Sequence, residues 1–313
     1  MAPHLRDEAG EGGGARRLVN PDSPAAIRGA LEEMGISLKK RWGQNFLVNR
    51  GAREKLVDLL DARPGETVWE IGPGLGSMTG MLLARGPRLI AFEVDRGLCR
   101  YLRNAFEGEE RFTLVEGDFI KTWEQALAAH GAPARLLGNL PYRSASLMIS
   151  AVVEAGLRPA AMVVTVQREL AERMTALPRT KSYSSFSALC QCCFSISARG
   201  DLKPGSFFPA PEVVSTAVVM KPLPDGPDPR TIRVLSGLLR ALFAARRKTL
   251  RNNLLAARFA DGTDPADVAA ELDAEGISEG ARAEEIPPDA FQRIARRLSN
   301  RLPPGDPTGS SAP

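Results

Sequence analysis

Four consecutive residues, Asn139-Leu140-Pro141-Tyr142, combine groups suited to holding a planar nitrogen base. The asparagine side-chain oxygen and the Leu140 carbonyl, held by the rigid Pro141, could accept two hydrogen bonds from an exocyclic amine while Tyr142 stacks on the ring. Alkylation of such an amine is difficult because its lone pair is delocalised, and two acceptors would hold the nitrogen with the lone pair directed outward. On its own, the tetrapeptide is also typical of a turn.

A glycine-rich segment, Glu70-Ile71-Gly72-Pro73-Gly74-Leu75-Gly76, lies where a strand is expected to turn into a helix. Glycines there let backbone amides approach a ligand and leave the positive end of the helix open to an anionic group. Taken alone the loop is a weak signal, because strand-to-helix turns also use glycine structurally. The dinucleotide pattern GxGxxG would place a third glycine at Ser77, so the pattern here is GxGxG instead.

Two carboxylates follow the glycine segment at the ends of the next expected strands. Glu93 lies about 20 residues after Gly72, a spacing at which a carboxylate can accept both ribose hydroxyls of a nucleoside. Asp118 closes the following strand and could contact the amino group of adenine. Either acid alone could be an ordinary exposed residue. Together with the glycine loop they predict an adenosine-containing ligand at the crevice of a sheet.

A parallel sheet is needed to bring these residues together, and the hydrophobic pattern predicts one. Between residues 50 and 167, short apolar segments alternate with helix-like segments, which is typical of parallel strands covered by helices on both faces. The predicted fold class is therefore α/β, with a doubly wound sheet. Beyond a linker at Pro222–Pro229 the patterns are all helical, which predicts a smaller all-helical C-terminal domain.

The expected elements and units can be stated by residue number. Strands are expected at 68–71, 89–94, 112–116, 135–137, 162–166 and 213–220, and helices at 77–85, 97–106 and 145–154. Both chain ends are rich in Gly, Pro or Ser, which predicts disorder. The expected units are a disordered extension at 1–30, a ligand-binding domain at 31–222, a helical domain at 229–300 and a disordered tail at 301–313.

Composition excludes several classes of protein. The 313 residues are 43% hydrophobic and 25% charged, which is an ordinary globular composition with room for two domains. No apolar run reaches the roughly 18 residues of a spanning helix, and the N-terminus lacks a secretory signal, so we expect a cytoplasmic protein without membrane association. The four cysteines match neither a zinc motif nor a disulfide framework, which predicts buried thiols and no metal site.

The net charge of +4 is concentrated in one segment. From Pro229 to Ala260 there are eight basic residues and no acidic ones, whereas the rest of the chain is net negative. Guanidinium groups suit phosphate geometry, so the stretch predicts an RNA-binding face that includes Arg246, Arg247, Lys248 and Arg251. The alternative is a solvated helix face, which we disfavour because salt-bridged surface helices normally mix both signs.

Four further motifs complete a known pattern: Gly43-Gln44-Asn45-Phe46-Leu47, Gln167 to Arg173, Phe207-Phe208-Pro209-Ala210-Pro211, and Arg246 to Asn252. With the motifs above, they make the chain resemble the ribosomal RNA adenine dimethyltransferases, which are class I methyltransferases with a Rossmann-like domain. The resemblance runs from about Lys39 to Leu298. The last motif most resembles the bacterial enzymes that modify two adjacent adenosines near the end of 16S rRNA.

The resemblance implies S-adenosylmethionine as the cofactor and dimethylation of the adenine 6-amino group as the reaction. It assigns cofactor contacts to seven residues: Asn45, Leu47, Gly72, Gly74, Glu93, Asp118 and Asn139. It places the target base against the tetrapeptide Asn139-Leu140-Pro141-Tyr142, with Phe207 on the other face of the ring. The implied partner is 16S rRNA in the immature small ribosomal subunit, bound by a monomer.

Two positions depart from the family pattern: Arg143 follows the tetrapeptide, and Glu212 replaces the usual lysine. Both bear on RNA contacts rather than on the reaction type. Three other functions stay open at this point. An RNA-binding assembly factor is opposed by the tetrapeptide, and a resistance-type 23S rRNA methyltransferase by the long C-terminal region. An NAD-dependent dehydrogenase would need the missing glycine and a catalytic histidine, and only His4 and His130 are present.

Overall fold

A central sheet flanked by helices dominates the computed structural model, which describes residues 18–36 and 44–302. The strands in these ranges are β1 (Phe46–Leu47), β2 (Thr67–Ile71), β3 (Arg88–Glu93), β4 (Phe112–Glu116), β5 (Arg135–Asn139), β6 (Ala161–Gln167), β7 (Phe194–Leu202), β8 (Phe207–Phe208) and β9 (Ser215–Pro222). The helices are α1 (Pro24–Glu33), α2 (Arg50–Leu60), α3 (Ser77–Leu83), α4 (Arg96–Ala105), α5 (Phe119–His130), α6 (Ala145–Glu154), α7 (Arg168–Met174), α8 (Ser185–Cys193), α9 (Pro229–Leu242), α10 (Leu250–Ala256), α11 (Pro265–Ala274) and α12 (Pro288–Arg301). None of these helices is both long and apolar enough to cross a membrane.

The larger sheet has the strand order β4-β3-β2-β5-β6-β9-β7. Its first five strands run parallel, and β9 and β7 are added antiparallel beyond β6. The chain begins this sheet at β2, moves outward through β3 and β4, and then returns to β5 on the other side of β2. Such a reversal leaves a crevice outside the carboxyl ends of β2 and β5, where doubly wound sheets bind ligands. The predicted α/β fold class is confirmed.

Side chains of the central strands alternate between two buried faces. Trp69 of β2 packs in one core, and its neighbour Val68 packs in a second core on the opposite face. Burial on both faces explains why these strands are apolar throughout. In the first core, the rings of Trp69, Phe92 and Phe119 meet edge to face, with the Phe92 and Phe119 centroids 5.0 Å apart. This aromatic group fixes β2, β3 and α5 against one another.

Several elements in the sheet region are absent from the sequence expectation, among them α5 and β7. No element is predicted for residues 119–130, yet they form α5, because Asp118 caps the helix and Phe119 anchors it in the core. The expected pattern also lacks β7, whose residues are mostly half-buried or exposed and whose pairing with β9 shifts register between Ala198 and Asp201. An edge strand of this kind has a weak hydrophobic signal.

The predicted disordered extension at residues 1–30 is wrong for its second half. Residues 24–33 form α1, and the Oγ of Ser23 caps the helix by accepting from the Ala26 amide at 3.2 Å. Ile27 and Leu31 of α1 are buried against the rest of the protein. The residues that α1 packs against are distant in the sequence, so the composition of residues 1–30 alone does not predict the helix. Residues 1–17 of the extension and 303–313 of the predicted tail lie outside the described residues.

The region after the Pro222–Pro229 linker is helical, as predicted. It is not isolated from the sheet, because Phe291 of α12 belongs to the same continuous buried cluster as Trp69 of β2. The Tyr183 hydroxyl, before α8, also donates to the Ile286 carbonyl before α12 at 2.9 Å. The helical region therefore packs on one face of the sheet, and its status as a separate domain stays a prediction.

Candidate active site

A cavity of about 290 Å³ lies in the crevice between the carboxyl ends of β2 and β5. All seven residues to which the resemblance assigns cofactor contacts line it: Asn45, Leu47, Gly72, Gly74, Glu93, Asp118 and Asn139. They are contributed by β1 and its preceding loop, by the glycine loop, and by the ends of β3, β4 and β5. The parallel sheet thus brings together residues that are far apart in the sequence.

The glycine loop after β2 forms one wall of the cavity. Gly72, Gly74 and Gly76 have φ values of +74°, +59° and +74°, in the left-handed region that favours glycine. A Cβ on Gly74 would lie only 3.0 Å from the Phe46 ring, and a Cβ on Gly72 would lie 3.7 Å from the Asn139 carbonyl oxygen. Glycine therefore lets this loop approach β1 closely at Gly74, whereas at Gly72 it is the left-handed backbone that favours glycine.

Glu93 ends β3, and its side chain is only 5% exposed at the cavity wall. Its Oε1 accepts from the amides of Val94 and Asp95, both at 2.9 Å, and its Oε2 accepts from the Gly74 amide at 3.3 Å. Burial raises the pKa of Glu93 to about 7, although these three hydrogen bonds favour the ionised form. The result is a fixed carboxylate acceptor, which is the type of group that binds a ribose diol.

Asp118 follows β4 and has a structural role that the sequence analysis did not assign. Its Oδ1 accepts from the Ile120 amide at 3.0 Å and so caps α5. The side chain also lines the cavity next to Gly117. Because a carboxylate has two acceptor oxygens, helix capping through Oδ1 is compatible with a ligand contact through Oδ2.

Asn139 ends β5, and its side-chain amide is held from two sides. Its Nδ2 donates to the Asn45 carbonyl at 2.8 Å, and its Oδ1 accepts from the Thr165 hydroxyl at 2.5 Å. Thr165 lies directly opposite on β6, where it is 1% exposed. These two bonds define which side of the amide carries the oxygen and join the tetrapeptide to the loop before β1.

The main chain after Asn139 is also fixed. The Leu140 amide donates to the Thr165 carbonyl at 3.1 Å, and the buried Leu140 side chain fills the space over Gly138, where a Cβ would lie 2.6 Å from it. The Pro141 carbonyl then accepts from the Ser144 and Ala145 amides at 3.1 and 2.9 Å, which starts α6. The tetrapeptide is therefore a rigid connection between β5 and α6. It forms a turn, and this turn is compatible with the proposed acceptor role of Asn139 Oδ1 and the Leu140 carbonyl.

Comparison with known proteins decides between the functions left open by the sequence. The profile of the ribosomal RNA adenine dimethylase family matches residues 35–300. The chain belongs to this family. It is 40% identical over 270 residues to Ribosomal RNA small subunit methyltransferase A of Treponema denticola, which covers 85% of this chain and 92% of that protein. The protein of the same name from Treponema pallidum (strain Nichols) is 42% identical and covers 85% and 93% of the two chains.

Solved structures support the fold. A dimethyladenosine transferase from Plasmodium falciparum matches with a TM-score of 0.64 at 21% identity, over 80% of this chain and 96% of that chain. The 23S rRNA methyltransferase ErmE matches with a TM-score of 0.57 at 22% identity, over 81% and 99%. These matches establish the class I methyltransferase fold. Family membership makes the protein a methyltransferase and removes the dehydrogenase alternative.

S-adenosylmethionine is the methyl donor of the ribosomal RNA adenine dimethylase family, and the cavity suits it. Glu93 offers a buried carboxylate to the ribose, while Val94, Leu98 and Phe119 give apolar walls against which an adenine ring can pack. No group of three His, Cys, Asp or Glu side chains able to hold a metal occurs in residues 18–36 and 44–302. All four cysteines are buried and free, as predicted.

Tyr142 of this family member is anchored rather than mobile. Its hydroxyl lies 2.7 Å from the Ser215 Oγ, so the tetrapeptide is tied to the start of β9. Burial raises the pKa of Tyr142, so its phenol stays neutral at physiological pH. Arg143, one of the two departures from the family pattern, is exposed and lines the cavity, whereas Glu212 is exposed in the loop before β9.

Phe207 does not lie where the family resemblance predicts. Its side chain is 4% exposed and packs with Leu47 in the second core. The cause is the antiparallel pairing of β8 with β1, whose register sets Phe207 opposite Leu47. Stacking on a base would require Phe207 to leave this core, so the structure does not place Phe207 as a base clamp. The neighbouring Phe208 is half-buried, and the Arg28 guanidinium lies 5.5 Å from its ring centroid.

The four basic residues predicted to contact RNA are all exposed: Arg246, Arg247, Lys248 and Arg251. They lie between α9 and α10 and in the first turn of α10. Arg246 is already engaged, because it donates to the Glu284 carboxylate at 2.5 Å and to the Thr180 carbonyl at 3.2 Å. A stretch without acidic residues can thus still be paired by acids from elsewhere in the chain. RNA contact by these residues stays a prediction.

Sequence reasoning missed several residues of this dimethylase site. Pro21 and Ile27 line the cavity, but they lie in the segment predicted to be disordered. The Ser23-Pro24 pair followed by Ile27 and Leu31 is a helix-start signal with apolar spacing that could have found α1. Thr165 was missed because a single threonine in an apolar strand carries no signal until the register of β5 and β6 is known.

Proposed function

We propose that the protein transfers methyl groups from S-adenosylmethionine to the 6-amino groups of two adjacent adenosines in small-subunit ribosomal RNA. The observation that carries the proposal is the position of Asn139 on the cavity wall beside the glycine loop, with its amide oriented by Asn45 and Thr165. The relatives' name, Ribosomal RNA small subunit methyltransferase A, supports the small subunit as the source of the substrate.

The chain's own residues would provide position and electrostatics for this reaction. Asn139 Oδ1 and the Leu140 carbonyl accept hydrogen bonds from the two N–H groups of the target amine, and Tyr142, anchored by Ser215, packs against the base. The nitrogen lone pair is then directed into the cavity. The bound donor supplies an electrophilic methyl group. No strong base is needed, because the methylated nitrogen is acidic and releases its proton to water, so preorganised acceptors account for the rate.

The donor would be held by the seven residues that line the cavity. Glu93 accepts the ribose hydroxyls, and Asp118 accepts from the adenine amino group. The loop of Gly72 and Gly74 brings the main chain close to the donor. Asn45 and Leu47 close the cavity from the side of β1. In this arrangement Asn139 contacts both the donor and the base.

The substrate in the cell would be 16S rRNA in the immature small ribosomal subunit, bound by a monomer in the cytoplasm. The helical region at residues 229–300 would hold the RNA through Arg247, Lys248 and Arg251, with Arg246 held in place by Glu284. Exposed guanidinium and ammonium groups without acidic neighbours in the same stretch support this proposal.

The test is methyl transfer from labelled S-adenosylmethionine to immature small subunits, with the modified bases mapped on both ribosomal RNAs. We expect two dimethylated adenosines near the end of 16S rRNA and none on 23S rRNA. Asn139→Ala should lower the rate of transfer at least 100-fold, because it removes an acceptor that acts in the transition state.

Asn104→Ala is the matched control, because Asn104 is an exposed asparagine on α4 outside the cavity. It should transfer methyl groups at the wild-type rate. Methylation of 23S rRNA, or an Asn139→Ala variant as fast as the Asn104→Ala variant, would overturn the proposal. Mature small subunits should be poorer substrates than immature ones if the stage of assembly is as proposed.

A further inference from the structure

Residues 18–36, here called the cap segment, lie almost entirely before the region matched by the family, which begins at residue 35. They nevertheless contribute Pro21 and Ile27 to the wall of the cavity. Ile27 projects from α1 and is 1% exposed, so it is enclosed between the helix and the rest of the protein. The cavity is therefore built partly by a segment outside the family's shared region.

Arg53 of α2 links the cap segment to β1 at the cavity wall. Its guanidinium is 1% exposed, pairs with the Asp22 carboxylate, and donates to the Leu47 carbonyl at 2.7 Å and to the Pro21 carbonyl at 3.4 Å. One buried cation thus joins the cap segment to β1, which itself lines the cavity. A buried guanidinium that serves three acceptors specifies one docked position, because loss of a partner would leave it unsatisfied.

Two glycines make room for the cap segment on the neighbouring helices. A Cβ on Gly97 of α4 would lie 2.6 Å from Ile36 Cγ1, and a Cβ on Gly80 of α3 would lie 3.2 Å from Leu18 Cδ1. The Val19 amide also donates to the Tyr101 hydroxyl at 3.0 Å. The cap segment therefore contacts the protein along its whole length rather than at one point.

The position of Ile27 indicates which part of the cavity wall it supports. Ile27 packs in a small core with Leu75 of the glycine loop and Leu98 of α4, and all three side chains line the cavity. Leu98 lies in the first turn of α4, shortly after Glu93, the proposed ribose acceptor. Ile27 therefore packs on a wall of the cavity close in sequence to Glu93, which is the proposed adenosine end.

We propose that the cap segment is part of the donor site: Pro21 contacts the adenosine half of S-adenosylmethionine, Ile27 supports the cavity wall through Leu75 and Leu98, and donor binding stabilises the docked position of α1. This inference rests on the proposed function, since it requires the cavity to be the donor site. It adds an apolar wall supplied by residues before the family's shared region. Donor affinity and the order of α1 are thus linked, and each strengthens the other.

The first test is donor affinity measured by calorimetry with S-adenosylmethionine and with S-adenosylhomocysteine. Ile27→Ala should weaken both affinities about tenfold, because it removes the packing on Leu75 and Leu98 that supports the cavity wall against the part common to the two ligands. Glu32→Ala, an exposed change on the same helix, should leave both affinities unchanged. Equal affinity for Ile27→Ala and wild type would overturn the proposal.

The second test uses hydrogen exchange of the full-length wild-type chain, so that it does not depend on any variant folding. Addition of S-adenosylmethionine should slow amide exchange in residues 24–33 at least tenfold, with little change in α12, which contributes no residue to the cavity lining. Unchanged exchange in α1 at saturating donor would overturn the proposed coupling.

Glu93→Ala separates this inference from the proposed function. Loss of donor binding in Glu93→Ala together with normal binding in Ile27→Ala would refute the cap segment's role and leave the donor site intact. Normal binding in Glu93→Ala would instead refute the cavity as the donor site. Weakened binding in both variants is the result we expect.

Discussion

The side-chain amide of Asn139 shows how a single residue can be prepared for catalysis before any substrate is present. Its nitrogen and oxygen have different partners, the Asn45 carbonyl and the Thr165 hydroxyl. A flipped amide would direct Oδ1 at the Asn45 carbonyl, which is repulsive because both atoms are acceptors, whereas the Thr165 hydroxyl could accept from Nδ2 instead. The Asn45 carbonyl therefore sets the orientation of the amide, and Thr165 is a positioning residue that holds the acceptor oxygen in place once that orientation is set.

Removal of the Thr165 hydroxyl should therefore slow methyl transfer. Thr165→Val keeps the shape of this buried side chain but leaves Asn139 Oδ1 without its donor, which costs about 1 kcal/mol of orientation and lowers the transfer rate constant roughly fivefold. The rate constant is measured in a single turnover with saturating RNA and donor. Calorimetry on the same variant should show a much smaller change in donor affinity, since the other cavity residues are untouched.

Thr165→Ser is the matched control, because it restores the hydroxyl without the methyl group. It should recover most of the wild-type rate constant. If Thr165 served only packing, Thr165→Ser would instead be slower than Thr165→Val, because serine lacks the methyl group that packs. A Thr165→Val enzyme with the wild-type rate constant would show that the amide needs no such support.

Glu93 should make donor binding depend on pH. Burial raises its pKa to about 7, so in the free protein the carboxyl is partly protonated at neutral pH. Ribose hydroxyls need an ionised acceptor, and protonation removes one acceptor site. Donor affinity should therefore be constant above pH 7 and fall as the pH drops below 7, by up to about tenfold per unit for one linked proton. Calorimetric titrations with S-adenosylhomocysteine between pH 5.5 and 8.5 measure this dependence.

Glu70 provides the control for this pH dependence. Its pKa is also raised to about 7 by complete burial, and it accepts from the Thr79 hydroxyl at 2.7 Å behind the glycine loop. Glu70→Gln should keep the pH dependence of donor affinity, whereas Glu93→Gln should bind weakly and show a nearly flat profile. A flat pH profile in Glu70→Gln together with a steep one in Glu93→Gln would assign the linked proton to Glu70 and contradict this prediction.

At the scale of elements, the predictable part of the structure is the set of strands buried on both faces. Their apolar runs place β2, β3, β5 and β6 correctly, and the chemical residues at their carboxyl ends follow from the geometry of a parallel sheet. The elements that sequence analysis misses or misplaces depend on long-range contacts. α1 is ordered by packing against Leu75 and Leu98, and Phe207 is buried by pairing of β8 with β1.

Charge patterns along single helices mislead for the same reason. α12 is rich in arginine, yet three of its arginines pair with acids: Arg293 and Arg297 with Glu275, at 2.8 and 2.7 Å, and Arg297 and Arg301 with the buried Glu271. Glu271 belongs to α11, and Glu275 follows it directly. These guanidinium groups hold the helical region together and are poor candidates for RNA contact, which leaves the segment between α9 and α10 as the better candidate.

At the scale of the whole molecule, the donor cavity and the basic segment, residues 229–260, are built from different residues. Donor affinity and RNA affinity should therefore be separable by mutation. The cavity is formed by the sheet and the cap segment, and the basic segment by the helices that pack on one face of the sheet. Arg247 and Lys248 are exposed next to Arg246, which Glu284 orients. Their charges contribute to the face that an RNA backbone would meet.

The combined variant Arg247→Gln with Lys248→Gln should bind small-subunit RNA more weakly and with less salt dependence. Two lost phosphate contacts reduce the slope of log affinity against log salt concentration by roughly 1.4–1.8, because each contact releases about 0.7–0.9 of a counterion. The slope is measured by filter binding between 50 and 300 mM salt.

Arg100→Gln, which removes an exposed charge from α4, should leave the slope unchanged. Since neither Arg247 nor Lys248 lines the donor cavity, S-adenosylmethionine affinity should stay at the wild-type value. An unchanged slope in the double variant would mean that the RNA is held by other basic groups, and equal loss of RNA and donor affinity would mean that the two sites are not separate.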